Sequence, residues 1–384
     1  MLEAGLAAGV AAAGGHALLG GVLPTPGAAL LTRRYGFDLA AVVSASHNPY
    51  SDNGIKFFGP QGTKLDDEQE AEIERVLEGA PESPPPGRVR ELHGASGDYL
   101  RELEGRFQDL ELEGVKVLLD CANGATYRVA PEIFRRLGAS VDAIATQPDG
   151  RNINDGVGST HVDTLATQVT AGGYDLGFAF DGDGDRVLAV DRDGATVDGD
   201  ELIALAAIHL RQKDALPGGG VAVTVMTNYG FHKAMEQAGV EVATTNVGDR
   251  YVLAELLKRG WALGGEQSGH IIDTGFVPSG DGVAAALLTL EALKGEDLAQ
   301  RHAMRKLPQK LVNVKIADRG ALDGADGVWD AVKRESEGLE GRGRVLVRPS
   351  GTEPLVRVMV EAPDEDECEQ VVGRLVETVE RELA

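Results

Sequence analysis

The sequence contains little cysteine. Two cysteines occur in 384 residues, Cys121 and Cys368, and they lie far apart with no Cys-x-x-Cys spacing. This pattern excludes a disulfide framework and a cysteine-based zinc site. It agrees with a reducing compartment, so we expect a cytoplasmic protein.

Long apolar runs and an early basic segment are also missing. The most apolar stretch, residues 6–23, is interrupted by several glycines and by His16, and no lysine or arginine precedes Arg33. We therefore predict neither a membrane-spanning helix nor a signal peptide with a basic start.

Positive charge is scarce as well. Lysine and arginine number 37 against 61 aspartates and glutamates, which gives a formal net charge of −24. This balance argues against nucleic acid or an anionic membrane as a partner. It is compatible with a local basic pocket for a phosphate.

The remaining composition is that of a large globular protein. Hydrophobic residues make up 42% and charged residues 26% of the chain, and its length is enough for several domains. The 51 glycines and 16 prolines predict many short elements joined by tight turns.

Apolar runs alternate with amphipathic stretches, which predicts an α/β fold. Strands are predicted at 39–43, 115–119, 176–180, 187–190, 221–226, 240–244, 312–316, 344–347 and 355–361. Helices are predicted at 66–77, 129–137, 201–211, 231–237, 252–258 and 364–383. Asp66 and Gln69 have the spacing of a capping box. The Pro- and Gly-rich segment 79–87 predicts a linker.

The first loop with residues suited to chemistry is the Ser-Ala-Ser-His-Asn-Pro run at 44–49, directly after a predicted strand. A serine at the carboxyl end of a strand is exposed and suited to a covalent role. His47 beside Ser46 raises a hydrolase triad as an alternative, but the Gly-x-Ser-x-Gly elbow is missing and adjacent side chains rarely reach each other. An Asn-Pro turn with incidental serines is the simpler interpretation of this loop taken alone.

The second loop alternates aspartate with glycine. Asp181, Asp183 and Asp185 can fold three carboxylates around one hard cation. An EF-hand is excluded because the positions that need glycine and glutamate hold Arg186 and Arg192. We predict a Mg²⁺ site between two strands, with a plain acidic turn as the alternative.

The third loop carries Glu266, Ser268 and His270 at alternate positions. Such spacing can line one side of an extended segment and offer an acceptor, a hydroxyl and an imidazole to a sugar. Taken alone the signal is weak, because glycine-rich turns often contain these residues.

The fourth loop is the Arg-Pro-Ser-Gly-Thr-Glu-Pro run at 348–354, with Arg357 beyond it. Arginine offers a bidentate fork to phosphate, and hydroxyl and backbone N–H groups complete an anion nest. The four loops together describe metal-assisted phosphoryl transfer on a sugar phosphate.

Taken in order, these four runs resemble the α-D-phosphohexomutase family. The Asp-Gly-Arg-Asn-Ile-Asn run at 149–154, the Gly-Ser-Thr-His run at 158–161 and the Gly-Asp-Arg-Tyr-Val run at 248–252 resemble its members that act on glucosamine phosphates. The resemblance covers essentially the whole chain.

The resemblance implies a four-domain fold around a central cleft. Three α/β domains with mixed sheets are expected, at 1–93 (incomplete, with the phosphoserine loop), 97–199 (metal loop) and 200–305 (sugar loop). A smaller C-terminal α+β domain with the phosphate loop is expected at 310–384.

The resemblance also implies roles for single residues. Ser46 is the phosphorylated serine and Ser44 its structural neighbour. The metal ligands are the Ser46 phosphate together with Asp181, Asp183 and Asp185. His47, Lys56 and His270 are the catalytic residues, of which Lys56 and His270 match positions that transfer or orient a proton. The substrate-binding residues are Gly248, Arg250, Glu266, Ser268, Arg348, Ser350, Gly351, Thr352 and Arg357.

The implied activity is the interconversion of glucosamine 6-phosphate and glucosamine 1-phosphate for UDP-N-acetylglucosamine synthesis. It uses one Mg²⁺ per chain, phosphorylated Ser46 and a hexosamine bisphosphate intermediate. The alternatives are a mutase of mannose or glucose phosphates from the same family, and a non-catalytic sugar-phosphate-binding remnant. The expected partner is a small sugar phosphate, and a homodimer is a candidate assembly.

The chain departs from the family at its start. Family members open with a Gly-Thr-Asp-Gly-Ile-Arg-Gly-like loop and an Arg-Asp-Thr-Arg-like stretch, and neither occurs here. We therefore expect a shortened sequence, from a gene fragment or a misplaced start codon, that lacks an arginine near the transferred phosphate.

Overall fold

The computed structural model describes residues 1–77, 85–316, 319–350 and 353–383. The chain forms two compact units. The first comprises Met1–Met226 with Gly239–Ala303, and the second Thr227–Ala238 with Met304–Ala384. Most of the linker predicted at 79–87 lies outside the described residues.

The beginning of the first unit contains two small sheets. Strand β1 (Ala17–Leu19) pairs in parallel with β4 (Val89–Glu91), and β2 (Ala40–Ser44) pairs antiparallel with β3 (Gly54–Phe58). The helices of this part are α1 (Leu2–Ala12), α2 (Thr25–Tyr35), α3 (Asp67–Leu77) and α4 (Ala95–Arg106). The predicted capping box is present, because Gln69 N donates to Asp66 Oδ1 at 2.9 Å and Asp66 N donates to Gln69 Oε1 at 3.0 Å.

Two five-stranded sheets with one shared plan follow in the first unit. The strands of the first are β5 (Lys116–Asp120), β6 (Ser140–Ile144), β7 (Leu176–Phe180), β8 (Val187–Asp191) and β9 (Thr196–Val197), in the order β6-β5-β7-β8-β9. The strands of the second are β10 (Gly220–Thr224), β11 (Glu241–Thr245), β12 (Leu263–Gly265), β13 (Ile271–Asp273) and β14 (Val277–Gly280), in the order β11-β10-β12-β13-β14. In both sheets the first three strands in this order run parallel to one another, and each of the last two pairs antiparallel with the strand before it.

Helices flank these sheets. They are α5 (Val129–Arg136), α6 (Asp163–Gly172), α7 (Gly199–Gln212), α9 (Asp249–Arg259) and α10 (Gly282–Leu293). A capping box starts α7, where Asp198 and Glu201 bond each other's backbone N–H. The predicted strand 221–226 ends earlier, at Thr224, because the Thr224 hydroxyl accepts a hydrogen bond from Met226 N and turns the chain.

The second unit is smaller. Its elements are α8 (Tyr229–Ala238), β15 (Gln309–Lys315), α11 (Asp326–Gly338), β16 (Arg344–Pro349), β17 (Leu355–Glu361) and α12 (Glu365–Leu383). The antiparallel sheet has the order β15-β17-β16, and α11 and α12 cover its core. This is the α+β arrangement expected for the end of the chain. Among the described residues, no helix has both the length and the apolar character needed to cross a bilayer.

Candidate active site

The four loops that the sequence singles out for their reactive or ligand-binding residues occupy equivalent positions. Each lies between two antiparallel strands that pair with each other: β2 and β3, β7 and β8, β12 and β13, and β16 and β17. Paired strands fix both ends of such a loop, so its polar side chains are held on a rigid base. The sheets therefore determine where the chemical groups lie.

Ser46 lies in the loop between β2 and β3 in a strained conformation. Its φ of 52° is in the left-handed region, which is uncommon for a residue with a side chain. The Ser44 hydroxyl accepts a hydrogen bond from Ser46 N at 2.9 Å, as expected for a structural neighbour. The Ser46 hydroxyl donates to Asp181 Oδ2 at 3.2 Å, whereas Nδ1 of His47 is 3.5 Å away. The Ser46 hydroxyl thus makes its shorter contact with the aspartate loop and its longer one with His47.

The three aspartates form a buried carboxylate cluster. Asp181, Asp183 and Asp185 are at most 3% exposed, and one oxygen from each lies within 4.8 Å of the others. Burial and the two neighbouring carboxylates raise the pKa of Asp181 well above its usual value. Burial would also raise the pKa of Asp185, but His270 and Lys56 hold it well below its usual value. Negative charge is therefore concentrated here and only partly compensated.

Lys56 supplies the main compensating charge. Its ammonium lies 2.6 Å from Asp183 Oδ2 and 2.9 Å from Asp185 Oδ2. Burial would lower the pKa of Lys56, but these carboxylates raise it well above its usual value. In this environment Lys56 is a cationic hydrogen-bond donor.

The donor set suits a hard divalent cation. Oδ1 of Asp183 is buried and has no hydrogen-bond partner in the part of the chain that the structure describes, whereas Oδ1 of Asp185 is buried with Nδ1 of His270 3.6 Å away. Buried carboxylate oxygens without a partner are costly unless a cation binds them. Three carboxylates with no nitrogen or sulfur donor are typical of magnesium sites.

Thr25 was not singled out in the sequence but belongs to this cluster. Its hydroxyl donates to Asp183 Oδ2 at 2.6 Å, and its backbone N–H donates to Asp183 O at 2.8 Å. Thr25 begins α2 next to Pro26, which is a recognisable helix start. That signal indicates where the helix begins but not which loop it contacts.

The sugar loop between β12 and β13 is connected to the same cluster through His270. Its Nδ1 lies 3.6 Å from Asp185 Oδ1, and its Nε2 accepts a hydrogen bond from Gly280 N at 3.1 Å. Glu266 accepts a hydrogen bond from Gly248 N at 3.0 Å, and Ser268 is exposed. Glu266 and Gly248, both predicted to bind substrate, are therefore in direct contact.

Close backbone packing holds the sugar loop in place. A Cβ atom at Gly199 would lie 2.1 Å from Glu266 O, and one at Gly269 would lie 2.1 Å from Val187 O. Hydrogen bonds accompany both contacts, from Gly199 N to Gln267 O at 3.0 Å and from Val187 N to Gly269 O at 3.0 Å. The sugar loop is thus packed against β8 and the start of α7.

Arg250, another predicted substrate-binding residue, forms an exposed ion pair with Asp67 at the start of α3. Its neighbour Asp249 accepts a hydrogen bond from Lys64 Nζ at 2.5 Å and lies 3.6 Å from Nε2 of His270. The sequence assigned no role to Lys64, which resembles an ordinary surface charge, or to Asp249, although Asp249 lies within the 248–252 run. Asp249 connects Lys64 to the sugar loop.

In the second unit, two arginines face each other across a strand pair. Arg348 on β16 is the direct partner of Arg357 on β17. Burial and the charge of Arg357 lower the pKa of Arg348. Like charges directly opposite each other are unfavourable, so this arrangement suits a bound anion. Ser350 is buried beside them, and Gly351 and Thr352 lie outside the described residues.

Models of one family match the chain in four consecutive parts. The family is described as phosphoglucomutase/phosphomannomutase, with its α/β/α domain I at residues 1–83, domain II at 92–194, domain III at 198–311 and its C-terminal domain at 311–378.

Curated relatives are similar over nearly the whole chain. The phosphoglucosamine mutase of Desulforudis audaxviator is 50% identical over 388 residues, which cover 99% of this chain and 86% of that protein. The phosphoglucosamine mutase of Pseudomonas fluorescens is 49% identical over 387 residues, with 99% and 86% covered.

Solved structures share the fold. A phosphoglucomutase/phosphomannomutase family protein from Burkholderia thailandensis has a TM-score of 0.81 at 23% identity, covering 99% of this chain and 86% of that one. The N-acetylphosphoglucosamine mutase of Aspergillus fumigatus, solved with GlcNAc-6P and magnesium, has a TM-score of 0.73 at 19% identity, covering 94% and 93%. With domains in the family order and relatives near 50% identity, the chain belongs to the phosphoglucomutase/phosphomannomutase family, the α-D-phosphohexomutases.

Proposed function

We propose that this protein is a phosphoglucosamine mutase, which interconverts glucosamine 6-phosphate and glucosamine 1-phosphate. The observation that carries the proposal is the contact between the Ser46 hydroxyl and the buried aspartate cluster, at 3.2 Å from Asp181 Oδ2. Relatives near 50% identity that carry this name support the choice of sugar.

We propose Asp181, Asp183 and Asp185 as the protein ligands of one Mg²⁺. The buried Oδ1 of Asp183, which has no hydrogen-bond partner among the described residues, supports this assignment. When bound, magnesium neutralises charge on phosphoryl oxygens. Lys56 adds a further positive charge at the same place, 2.6 Å from Asp183.

Ser46 would carry the phosphoryl group that is exchanged. A sugar hydroxyl forms a bond to phosphorus, the bond from phosphorus to Ser46 Oγ breaks, the sugar hydroxyl proton passes to a basic side chain, and the departing Ser46 Oγ takes up a proton from an acidic side chain. This step leaves a hexosamine bisphosphate and a free Ser46 hydroxyl. Transfer of the other phosphate back to Ser46 Oγ completes the exchange and balances every atom.

In the second unit, Arg348 and Arg357 would bind the phosphate that is not transferred. Two guanidinium groups opposite each other on β16 and β17 can each offer paired N–H donors to one anion. Binding a phosphate there would turn their mutual repulsion into attraction for a common partner.

Several roles are predictions from the sequence. They are the roles of His47, Lys56, His270, Gly248, Arg250, Glu266, Ser268, Ser350, Gly351 and Thr352. The domain limits, the cytoplasmic location and a homodimer also remain predictions.

A coupled assay for glucosamine 1-phosphate in the presence of magnesium tests the proposal. We expect turnover of glucosamine 6-phosphate by the protein, no detectable turnover by Ser46→Ala, and unchanged turnover by the control Ser51→Ala. Ser51 is an exposed serine in the same loop whose hydroxyl contacts only its neighbour Asp52 among the hydrogen bonds of the described residues. An intact-mass spectrum should show one phosphate that is absent from Ser46→Ala.

The sugar preference is tested by ranking kcat/KM for the 6-phosphates of glucosamine, mannose and glucose. A preference for mannose or glucose phosphate assigns the chain to another activity of the same family. Equal activity of Ser46→Ala refutes the covalent scheme, and sugar-phosphate binding without turnover or phosphoserine identifies a non-catalytic remnant.

A further inference from the structure

Asn154 contacts the phosphoserine loop from a distant part of the chain. Its side chain is 6% exposed, and its Nδ2 donates to Ser46 O and to Asn48 O, both at 2.8 Å. Both amide hydrogens are therefore used on two carbonyl oxygens of the loop that carries Ser46. Asn154 lies 108 positions after Ser46 in the chain, so this is a long-range contact.

The backbone of Asn154 is fixed as firmly as its side chain. Its φ of 58° lies in the left-handed region, which asparagine adopts more readily than most residues. Asn154 N donates to Ala122 O at 2.9 Å, which anchors it to the loop after β5. The amide is thus presented by a rigid base, and few other side chains combine this backbone conformation with two donors on one atom.

The carbonyl of Ser46 receives a second hydrogen bond from the aspartate loop. Gly182 N donates to Ser46 O at 3.1 Å, and Ala125 N in turn donates to Gly182 O at 2.8 Å. A Cβ atom at Gly182 would lie 2.5 Å from Ser46 O, so the approach requires glycine. Asn154 and Gly182 together satisfy both lone pairs of the Ser46 carbonyl.

These contacts determine where the Ser46 hydroxyl points. Ser46 has a left-handed φ of 52°, which is unfavourable for serine unless surrounding groups hold it there. With the carbonyl fixed from two sides, the hydroxyl is directed at Asp181. Without the amide of Asn154, relaxation of the peptide would move the hydroxyl away from the aspartate cluster.

We propose that Asn154 is a positioning residue for phosphoryl transfer, which holds the Ser46 peptide so that Oγ faces the aspartate cluster. The inference rests on the proposed role of Ser46 as the phosphoryl carrier. A displacement of the reacting oxygen by about 1 Å is enough to slow such a step roughly 100-fold. Both amide hydrogens of Asn154 are used on the loop that carries Ser46, and Asn154 is not among the residues proposed to bind substrate, so we expect the effect in kcat and not in KM.

Two substitutions test this role. Asn154→Asp keeps the shape but places a carboxylate oxygen against two carbonyl oxygens. Asn154→Gly removes the amide but keeps the left-handed backbone conformation, so it should retain the fold. It therefore keeps the test possible if Asn154→Asp fails to fold. Asn152→Asp is the matched control, because its Nδ2 donates to Gln147 O within its own loop.

The variants are compared with the unmodified protein, using glucosamine 6-phosphate with magnesium. We expect kcat to fall about 100-fold in Asn154→Asp and about tenfold in Asn154→Gly, with KM within about threefold. Asn152→Asp should stay within about twofold. Intact-mass spectra should show slower phosphorylation of Ser46 by the sugar bisphosphate in both Asn154 variants.

The outcomes separate the inference from the proposed function. Asn154 variants that retain kcat, or that raise KM while kcat is unchanged, overturn the positioning role in an otherwise active enzyme. An equal loss in Asn152→Asp also overturns it, because general disruption of the loop would then explain the effect. An unmodified protein with neither turnover nor phosphoserine contradicts the proposed function, and the inference falls with it.

Discussion

Replacing Arg357 by methionine should weaken substrate binding and at the same time stabilise the second unit. Arg357 on β17 is the cross-strand partner of Arg348 on β16, and its Nε is buried with no hydrogen-bond partner among the described residues. Methionine retains most of the apolar stem and removes the charge. The two effects of one substitution therefore have opposite directions.

The size of each effect follows from these contacts. Loss of a charge-assisted bond to phosphate costs about 1.5–3 kcal/mol, which corresponds to a rise in KM of roughly 10- to 150-fold. Removal of one of two like charges that lie opposite each other in a sheet stabilises the strand pair by about 0.2–1 kcal/mol. The partnerless Nε of Arg357 adds to that gain.

Steady-state kinetics and amide hydrogen exchange measure the two effects separately. KM for glucosamine 6-phosphate reports the phosphate contact. Exchange rates of the β16 and β17 amides report local stability, and a gain of about 1 kcal/mol slows exchange roughly fivefold. Inorganic phosphate should protect these amides in the unmodified protein and much less in Arg357→Met.

Arg344→Met, on the neighbouring strand β16 of the same sheet, is the matched control. Arg344 donates to Glu361 at 2.7 Å and to Thr227 O at 2.6 Å, and Glu361 is fully buried. Loss of the Arg344 guanidinium, which leaves the Glu361 carboxylate buried without this partner, should destabilise the second unit by about 3–5 kcal/mol and leave KM unchanged. The reasoning is refuted if Arg357→Met keeps its KM, or if its β17 amides exchange faster than those of the unmodified protein.

Three further results are expected. Burial raises the pKa of Asp281 to about 6, although Ala284 N and Tyr99 OH donate to its carboxylate. Because a hydrogen bond to the ionised carboxylate is worth more than one to the protonated group, Tyr99→Phe should lower the free energy of unfolding more at pH 7.5 than at pH 5. Equal losses at both pH values contradict this. Burial and the charge of Arg344 lower the pKa of His232 to about 4. The unfolded chain therefore takes up a proton on this histidine before the folded protein does, so the free energy of unfolding is highest above pH 6.5 and falls as the pH drops towards 4. An acid titration should show a flatter stability profile for His232→Gln than for the unmodified protein. Burial raises the pKa of the Cys121 thiol to about 12 and Cys368 is also buried, so a thiol reagent should label neither in the folded protein and both after denaturation, and labelling in the native state contradicts the fold.

The sequence predicted those elements whose burial leaves a clear pattern. Strand β7 is a continuous apolar run at 176–180 that is buried along its whole length, and α3 begins at a capping box that is readable from two residues. Helix α10 was missed because it is apolar on nearly all sides and shows no helical periodicity. Helix α1 was missed because its glycine-rich sequence buries only Ala7.

The site was predictable where its chemistry is local in sequence. The aspartate loop concentrates three carboxylates within five residues, so their clustering was predictable from spacing alone. Thr25 and Asn154 reach the same place from 158 and 108 positions away from their partners. Contacts of that range depend on how the sheets are arranged, and one sequence does not encode them as a local pattern.

The close packing of loop against loop also bears on how this protein tolerates mutation. Gly182 and Gly199 have no functional group, yet any side chain there would overlap the backbone of the serine loop or the sugar loop. A saturation scan scored by growth should therefore find these two glycines as intolerant as Asp181. Intolerance in such a map marks positions where two backbones are in contact as well as positions where catalysis occurs. A catalytic role should therefore be assigned only where the substitution removes a functional group.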